Sequence, residues 1–125
     1  MKRFIFGAAA LAASIAVPVF AHHSFAMFDN EKEMTLEGII REFQWTNPHT
    51  WTQVMVKDAS GKEVEWSIEG GSPNSLSRAG WKRTSIKPGD KATVVIHPLK
   101  NGEPGGSLVR ITINGEPVGR PRGQN

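Results

Sequence analysis

From residue 35 onward, apolar and polar positions alternate over short segments, a pattern typical of β-strands with one buried face. The clearest case is 63–69, where Val64, Trp66 and Ile68 share one face and the glutamates share the other. This alternation predicts a row of solvent-facing carboxylates rather than a buried acid–base pair. Five strands are predicted in this way, at 35–45, 49–57, 63–69, 91–97 and 107–113.

Turn-forming residues separate these strands. The segment 58–61, with aspartate, serine and glycine, predicts a hairpin between the second and third strands. Ser72 is a good N-cap and Pro73 suits the first helical position, so a short helix is predicted after the third strand. We expect Trp81 to pack this helix onto the sheet. In the first strand the apolar residues change face, and Gly38 is where we expect the strand to bend.

Five strands with one short helix between the third and fourth predict a mainly β fold. The order matches a small OB-like barrel of five to six strands, and a small β-sandwich is the alternative. The barrel domain is assigned to 35–119, after an N-terminal segment at 22–34 that begins with two histidines. Residues 120–125 are expected to form a flexible tail because they contain no apolar anchor.

The first 21 residues have the pattern of a cleavable export signal. Lys2 and Arg3 precede an apolar run over 4–17, and the residues at 19–21 supply small or tolerated side chains at the two positions that a signal peptidase inspects. That run would span only about 21 Å as a helix, too short for a hydrocarbon core of roughly 30 Å. The sequence therefore predicts a periplasmic or secreted protein with no membrane attachment after cleavage. The absence of cysteine excludes disulfides, thiolate metal sites and a cysteine nucleophile.

The basic excess of the chain is small once the predicted signal is removed. The 15 basic and 12 acidic residues become 13 and 12 when Lys2 and Arg3 are lost, a net charge of +1. Binding of a phosphate backbone generally requires clustered basic side chains. Nucleic acid is therefore not expected as a partner.

Several strings of residues occur together across the mature chain. They are HHSFAMFD at 22–29, EFQWTNPH at 42–49, SPNSLSRAGW at 72–81, KPGD at 87–90 and HPLKNG at 97–102. In this order they resemble a bacterial exported family known as domain of unknown function 6152. The resemblance implies a small exported β-domain and brings no activity with it.

All four histidines lie beyond the predicted cleavage site. If cleavage exposes His22, its amino and imidazole nitrogens could chelate one ion, and His23 or His49 could supply another nitrogen, with His97 in reserve. Nitrogen donors favour copper(II), so copper is the expected metal. Zinc, held by the first three histidines and an acid such as Asp29, is the alternative. In the simpler interpretation no metal binds: the two N-terminal histidines are only a polar start of the mature chain, and His49 is a hydrogen-bonding residue of a turn.

Two tryptophans lie on either side of a turn in the first half of the domain. Trp45 and Trp51 bracket the turn at 47–49, and together with Asn47 they form the predicted binding surface. Tryptophans in small barrels are more often part of the core, as the pattern predicts for Trp66.

These observations lead to three functional hypotheses. The first is a non-enzymatic exported binding module that binds copper through the N-terminal histidine region. The second is an accessory protein that docks on a larger periplasmic partner through an apolar patch around Trp45 and Trp51. The third is a small hydrolase or oxidoreductase with an unrecognised site. No catalytic residue is assigned, because no serine has the glycine context of a nucleophile elbow.

Overall fold

The computed structural model describes residues 25–119. The predicted signal, His22, His23 and the tail at 120–125 lie outside these residues. In chain order the elements are a 3₁₀ turn at Phe25–Met27, β1 (Met34–Gln44), β2 (Trp51–Lys57), β3 (Glu63–Glu69), α1 (Pro73–Arg78), β4 (Lys91–Pro98), β5 (Gly105–Ile113) and β6 (Glu116–Pro117).

Five of the strands close into a barrel. Neighbours in the sheet follow the order β3-β2-β1-β4-β5-β6, and these pairings are antiparallel. A short parallel pairing of β3 with β5, from Ser67 opposite Gly105 to Glu69 opposite Ser107, closes the ring. Because α1 lies between β3 and β4, the predicted OB-like barrel is confirmed, and the sandwich alternative is not observed.

Inward-facing aliphatic side chains from every strand of the barrel fill its interior. Val54 and Ile68 are nearly inaccessible to solvent, with exposed fractions of 0% and 1%. Trp66 and Trp81 are half-buried and pack against this core, as the sequence predicts. The other buried aliphatic residues of the core are Leu36, Ile40, Ile86, Ala92, Val94, Ile96, Ile111 and Ile113.

The bend in β1 lies three residues beyond the predicted position. The pairing of β1 with β2 changes register between Ile40 and Glu42, which places the bulge at Arg41. Gly38 has a different role, because a side chain there would collide with the backbone carbonyl of Met55 on β2. The glycine thus permits the close approach of two strands.

The helix α1 begins as the sequence predicts. The hydroxyl oxygen of Ser72 accepts a hydrogen bond from the N–H of Ser75 at 3.1 Å, and Pro73 follows the cap. After the helix, the N–H of Trp81 donates to the carbonyl of Leu76 at 2.9 Å, and this turn directs the indole toward the core. Within residues 25–119, no helix has the length and apolar character needed to cross a membrane.

Replacing Gly38 with alanine is expected to destabilise the barrel by about 3 kcal/mol, because the new methyl group forces β1 and β2 apart. Urea denaturation followed by tryptophan fluorescence measures this loss. The neighbouring Glu37 is exposed, so Glu37→Ala is the matched control and should change stability by less than about 0.5 kcal/mol. Equal stability of Gly38→Ala and the wild type would show that the strands are not in close contact there.

Candidate functional site

A threonine holds the start of β2 against the end of β3. The N–H and the hydroxyl of Thr50 both donate to the carbonyl of Gly71, at 3.0 and 2.9 Å. In return, the N–H of Gly70 donates to the carbonyl of Thr50 at 2.8 Å. Thr50 is only 1% exposed, so these bonds are shielded from water. They fix the preceding residue, His49, beside Glu69.

Both ring nitrogens of His49 face hydrogen-bond acceptors. Nε2 lies 3.3 Å from Oε1 of Glu69, and Nδ1 lies 3.3 Å from the carbonyl oxygen of Gly70. A neutral imidazole carries one N–H, so one of its two nitrogens would then present a lone pair to an oxygen. The arrangement is satisfied when the ring carries both protons, or when Nδ1–H donates to Gly70 and a cation binds Nε2.

Glu69 is buried although it lies on the outer face of β3. Its side chain is 9% exposed, and Oε2 is buried with no hydrogen-bond partner among residues 25–119. The prediction of a solvent-facing row of carboxylates is therefore wrong at this position, although Glu63 and Glu65 are exposed as expected. The burial comes from neighbours outside the strand pattern. Trp51 is paired with Glu69 across the hairpin, and two other segments of the chain border the same space.

Those two segments are the residues just before β1 and the loop between β4 and β5. They are bonded to each other: the N–H of Lys100 donates to the carbonyl of Met27 at 3.0 Å, and the N–H of Asp29 donates to Pro98 at 2.8 Å. Phe28 also forms an isolated bridge with Leu99. The N-terminal segment is thus fixed against the barrel next to Glu69.

A cavity of about 460 Å³ lies between these segments and the outer face of the barrel. Its lining residues are Met27, Phe28, Trp51, Ser67, Glu69, Leu99, Glu103, Pro104, Gly105 and Gly106. The glycines allow the loop to approach the strands, since a Cβ on Gly105 would lie 2.9 Å from the Leu99 side chain and 3.1 Å from the Ser67 carbonyl oxygen. The result is an apolar pocket with a buried carboxylate in its wall.

The second described histidine does not join His49. Nδ1 of His97 lies 2.7 Å from the carbonyl oxygen of Lys32. His97 is paired with Ser107, which is paired with Glu69, so the histidine is two strands away from the carboxylate. Across residues 25–119, no three histidine or acidic side chains are grouped closely enough to hold a metal ion. His22 and His23, the other predicted ligands, lie outside the described residues.

The three predicted binding-surface residues have different surroundings. Trp51 lines the cavity, whereas Trp45 packs edge-on against Phe43 with ring centroids 5.8 Å apart. Asn47 is exposed in the loop between β1 and β2. Only Trp51 of these three contributes to the pocket.

Glu69 was not among the site residues predicted from the sequence. The signal was present in the hairpin: the turn at 58–61 pairs Lys57 with Glu63, and counting back along both strands pairs Trp51 with Glu69. This register places the carboxylate next to the strand start that follows His49. The burial of Glu69 could not be predicted from the hairpin register, because the segments that cover it, before β1 and between β4 and β5, are distant in sequence.

Comparison with solved structures supports the class of fold. The mitochondrial single-stranded DNA binding protein Rim1 from S. cerevisiae has a similar structure, with a TM-score of 0.51 and 11% sequence identity. The match covers 68% of this chain and 95% of the yeast chain. At this identity the likeness concerns the fold alone, and it identifies the protein as an OB-type barrel.

Within that class, the chain belongs to the family described as Family of unknown function (DUF6152), which matches residues 10–108. The family resemblance of the sequence strings is therefore confirmed. Among curated proteins, none matches the chain.

The partner assignment made from the sequence needs correction. Nucleic acid was excluded on a net charge of +1, yet the similar structure is that of a single-stranded DNA binding protein. Net charge is a poor criterion for such a fold, because OB barrels bind single strands through aromatic side chains and local charge on one face. The exclusion therefore does not stand.

Removing the ring of His49 should destabilise the protein by about 1–2 kcal/mol, because His49→Ala leaves the buried carboxylate of Glu69 without its partner. The double variant His49→Ala with Glu69→Gln should recover most of this loss, since no charge is then buried. Urea denaturation of the wild type, the two single variants and the double variant gives the coupling energy. Strictly additive effects would contradict an interaction between the two side chains.

Proposed function

We propose that this protein is a metal-binding module in which His49 and Glu69 provide two ligands and the N-terminal histidines complete the site. Copper(II) is the first candidate and zinc(II) the alternative. The supporting observation is the pair of ligand atoms Nε2 and Oε1, 3.3 Å apart, with Nδ1 of the same ring facing a backbone carbonyl.

The spacing of the pair suits one ion bound to both atoms. Metal–nitrogen and metal–oxygen bonds of roughly 2.1 Å to atoms 3.3 Å apart enclose an angle of about 100°. This value lies between the angles of square-planar and tetrahedral coordination. A backbone carbonyl on the other ring nitrogen is also the usual outer contact of a metal-bound histidine, because it fixes the tautomer and the ring orientation.

The remaining ligands would come from the start of the mature chain. Met27 borders the same cavity as Glu69, and His22 precedes it by five residues. Five extended residues span up to about 17 Å, which is the longest reach of His22 from Met27, and His23 is one residue nearer. The proposal includes export and cleavage after Ala21, because a free amino group at His22 adds a second nitrogen to its ring.

Copper(II) titration of the metal-free protein beginning at His22 is expected to show one site with sub-micromolar affinity. Electron paramagnetic resonance should report nitrogen ligands. His49→Ala and Glu69→Gln should each weaken binding by about 10–100-fold, as expected for loss of one ligand. The same chain with an alanine added before His22 tests the contribution of the amino group.

The matched controls are His97→Ala and Glu63→Gln, which remove the same chemical groups away from the site. Both should bind copper like the wild type. Binding that is unchanged in His49→Ala, or lost equally in His97→Ala, contradicts the proposed ligands. Tight zinc binding with weak copper binding would keep the site and change its metal.

Single-stranded nucleic acid is the second candidate ligand. The structural similarity to a single-stranded DNA binding protein suggests this ligand. In addition, the half-buried Trp45 and Trp51 lie beside the β1–β2 loop, where their rings could stack on bases. The adjoining outer face of β3 carries the exposed carboxylate of Glu63, which repels phosphates, whereas Glu65 is paired with Arg41 at 2.8 Å. We therefore place this function after metal binding.

A fluorescein-labelled 20-nucleotide oligothymidine tests the second candidate. If the barrel binds single strands, anisotropy should rise at low salt and fall as salt is added, and Trp51→Ala should weaken binding by about tenfold. The exposed Glu37→Ala variant serves as the control. A flat titration at low salt removes this candidate and leaves the metal proposal unaffected.

A further inference from the structure

We propose that the cavity beside Glu69 binds a small organic ammonium ion with an apolar body. The cavity measures about 460 Å³, within the range of small-molecule sites in proteins. Its apolar walls come from an aromatic pair and three aliphatic side chains. These are Phe28, Trp51, Met27, Leu99 and Pro104.

The charge of the cavity selects a cation. Both charged residues that line it, Glu69 and Glu103, are acidic. Glu69 is nine-tenths buried, and its Oε2 has no hydrogen-bond partner in the described part of the chain. Its neighbour His49 contacts only Oε1 and is itself 42% exposed. Because Glu69 lines the cavity, a ligand ammonium group bound there would place a positive charge and N–H donors next to this carboxylate.

The body of the ligand is constrained by the walls. Trp51 lies directly across the hairpin from Glu69, so an ammonium group held by the carboxylate is near an indole ring. Gly105 and Gly106 add no side chain to the cavity wall, and a Cβ there would collide with the Leu99 side chain and the His97 carbonyl oxygen, respectively. A single aromatic ring or a short branched alkyl chain suits this space.

This inference does not rest on the proposed metal function. It requires the cavity and the carboxylate of Glu69, and it applies to the metal-free protein. Because both ligands use the same negative charge, a bound metal should weaken ammonium binding, and by linkage the ammonium ion should weaken metal binding by the same factor.

The experiment compares three probes that differ only in their head group: benzylammonium, benzyl alcohol and benzoate. The protein is produced from the full 125-residue chain, its N-terminus is determined by mass spectrometry, and EDTA removes metals. Titrations followed by the indole N–H signals in ¹H–¹⁵N spectra should place benzylammonium on Trp51. Its affinity should exceed that of benzyl alcohol by about tenfold or more, and benzoate should not bind.

Variants separate the proposed carboxylate from its neighbours. Glu69→Gln should abolish the preference for the ammonium probe, whereas Glu63→Gln on the same strand should keep it. His49→Ala should retain benzylammonium binding although its copper affinity falls by about 10–100-fold, so failure of one proposal is distinguishable from failure of the other. If Glu69→Gln does not fold, the order of the three probe affinities for the wild type still tests the proposal. Equal binding of benzyl alcohol and benzylammonium, no binding at all, or signals that move only outside the cavity would overturn the inference.

Discussion

The burial of the Glu69 carboxylate is the constraint on which the outer surface of this barrel depends. Moving a charged carboxylate out of water costs several kcal/mol unless it is well paired, and unpartnered polar atoms inside proteins are uncommon. One oxygen of Glu69 lies 3.3 Å from a half-exposed imidazole, and the other has no partner in the part of the chain that the structure describes. An apolar residue at this position would avoid that cost. Such a local loss of stability is typical of sites that bind a ligand.

The barrel topology creates the site on its outer face. The parallel pairing of β3 with β5 brings Gly105 and Gly106 beside the end of β3, and Thr50 fixes the start of β2 on the other side. The β4–β5 loop then passes over this junction and bonds to the segment before β1. Three parts of the chain that are distant in sequence therefore enclose one side chain. The inner core, by comparison, is formed by regular alternation along each strand.

This difference explains how much the sequence could predict. The bounds of β3, the hairpin to β2 and the cap of α1 depend on neighbouring residues, and all three were predicted correctly. The bulge at Arg41 was placed at Gly38 because a glycine within a strand allows either a bend or a close strand contact, and the sequence does not distinguish them. Glu69 follows the alternation of an exposed residue, so its burial required knowledge of the segments that cover it. The role of His49 as a ligand stays a prediction. The structure places this residue beside Glu69, and His97 lies two strands from Glu69.

The N-terminal segment is attached to the barrel at the edge of the cavity. Hydrogen bonds from Lys100 to Met27 and from Asp29 to Pro98 hold the residues just before β1 at the edge of the cavity. The chain upstream of Met27 consequently starts from a fixed point near Glu69, rather than from an arbitrary position on the surface. In the proposed metal site, cleavage after Ala21 would leave His22 and His23 only a few residues from this fixed point, and so give their rings a high effective concentration at the carboxylate. A cation bound at Glu69 would therefore connect the N-terminal segment, the β4–β5 loop and the barrel. It would also balance the negative charge of this carboxylate, which the barrel alone does not.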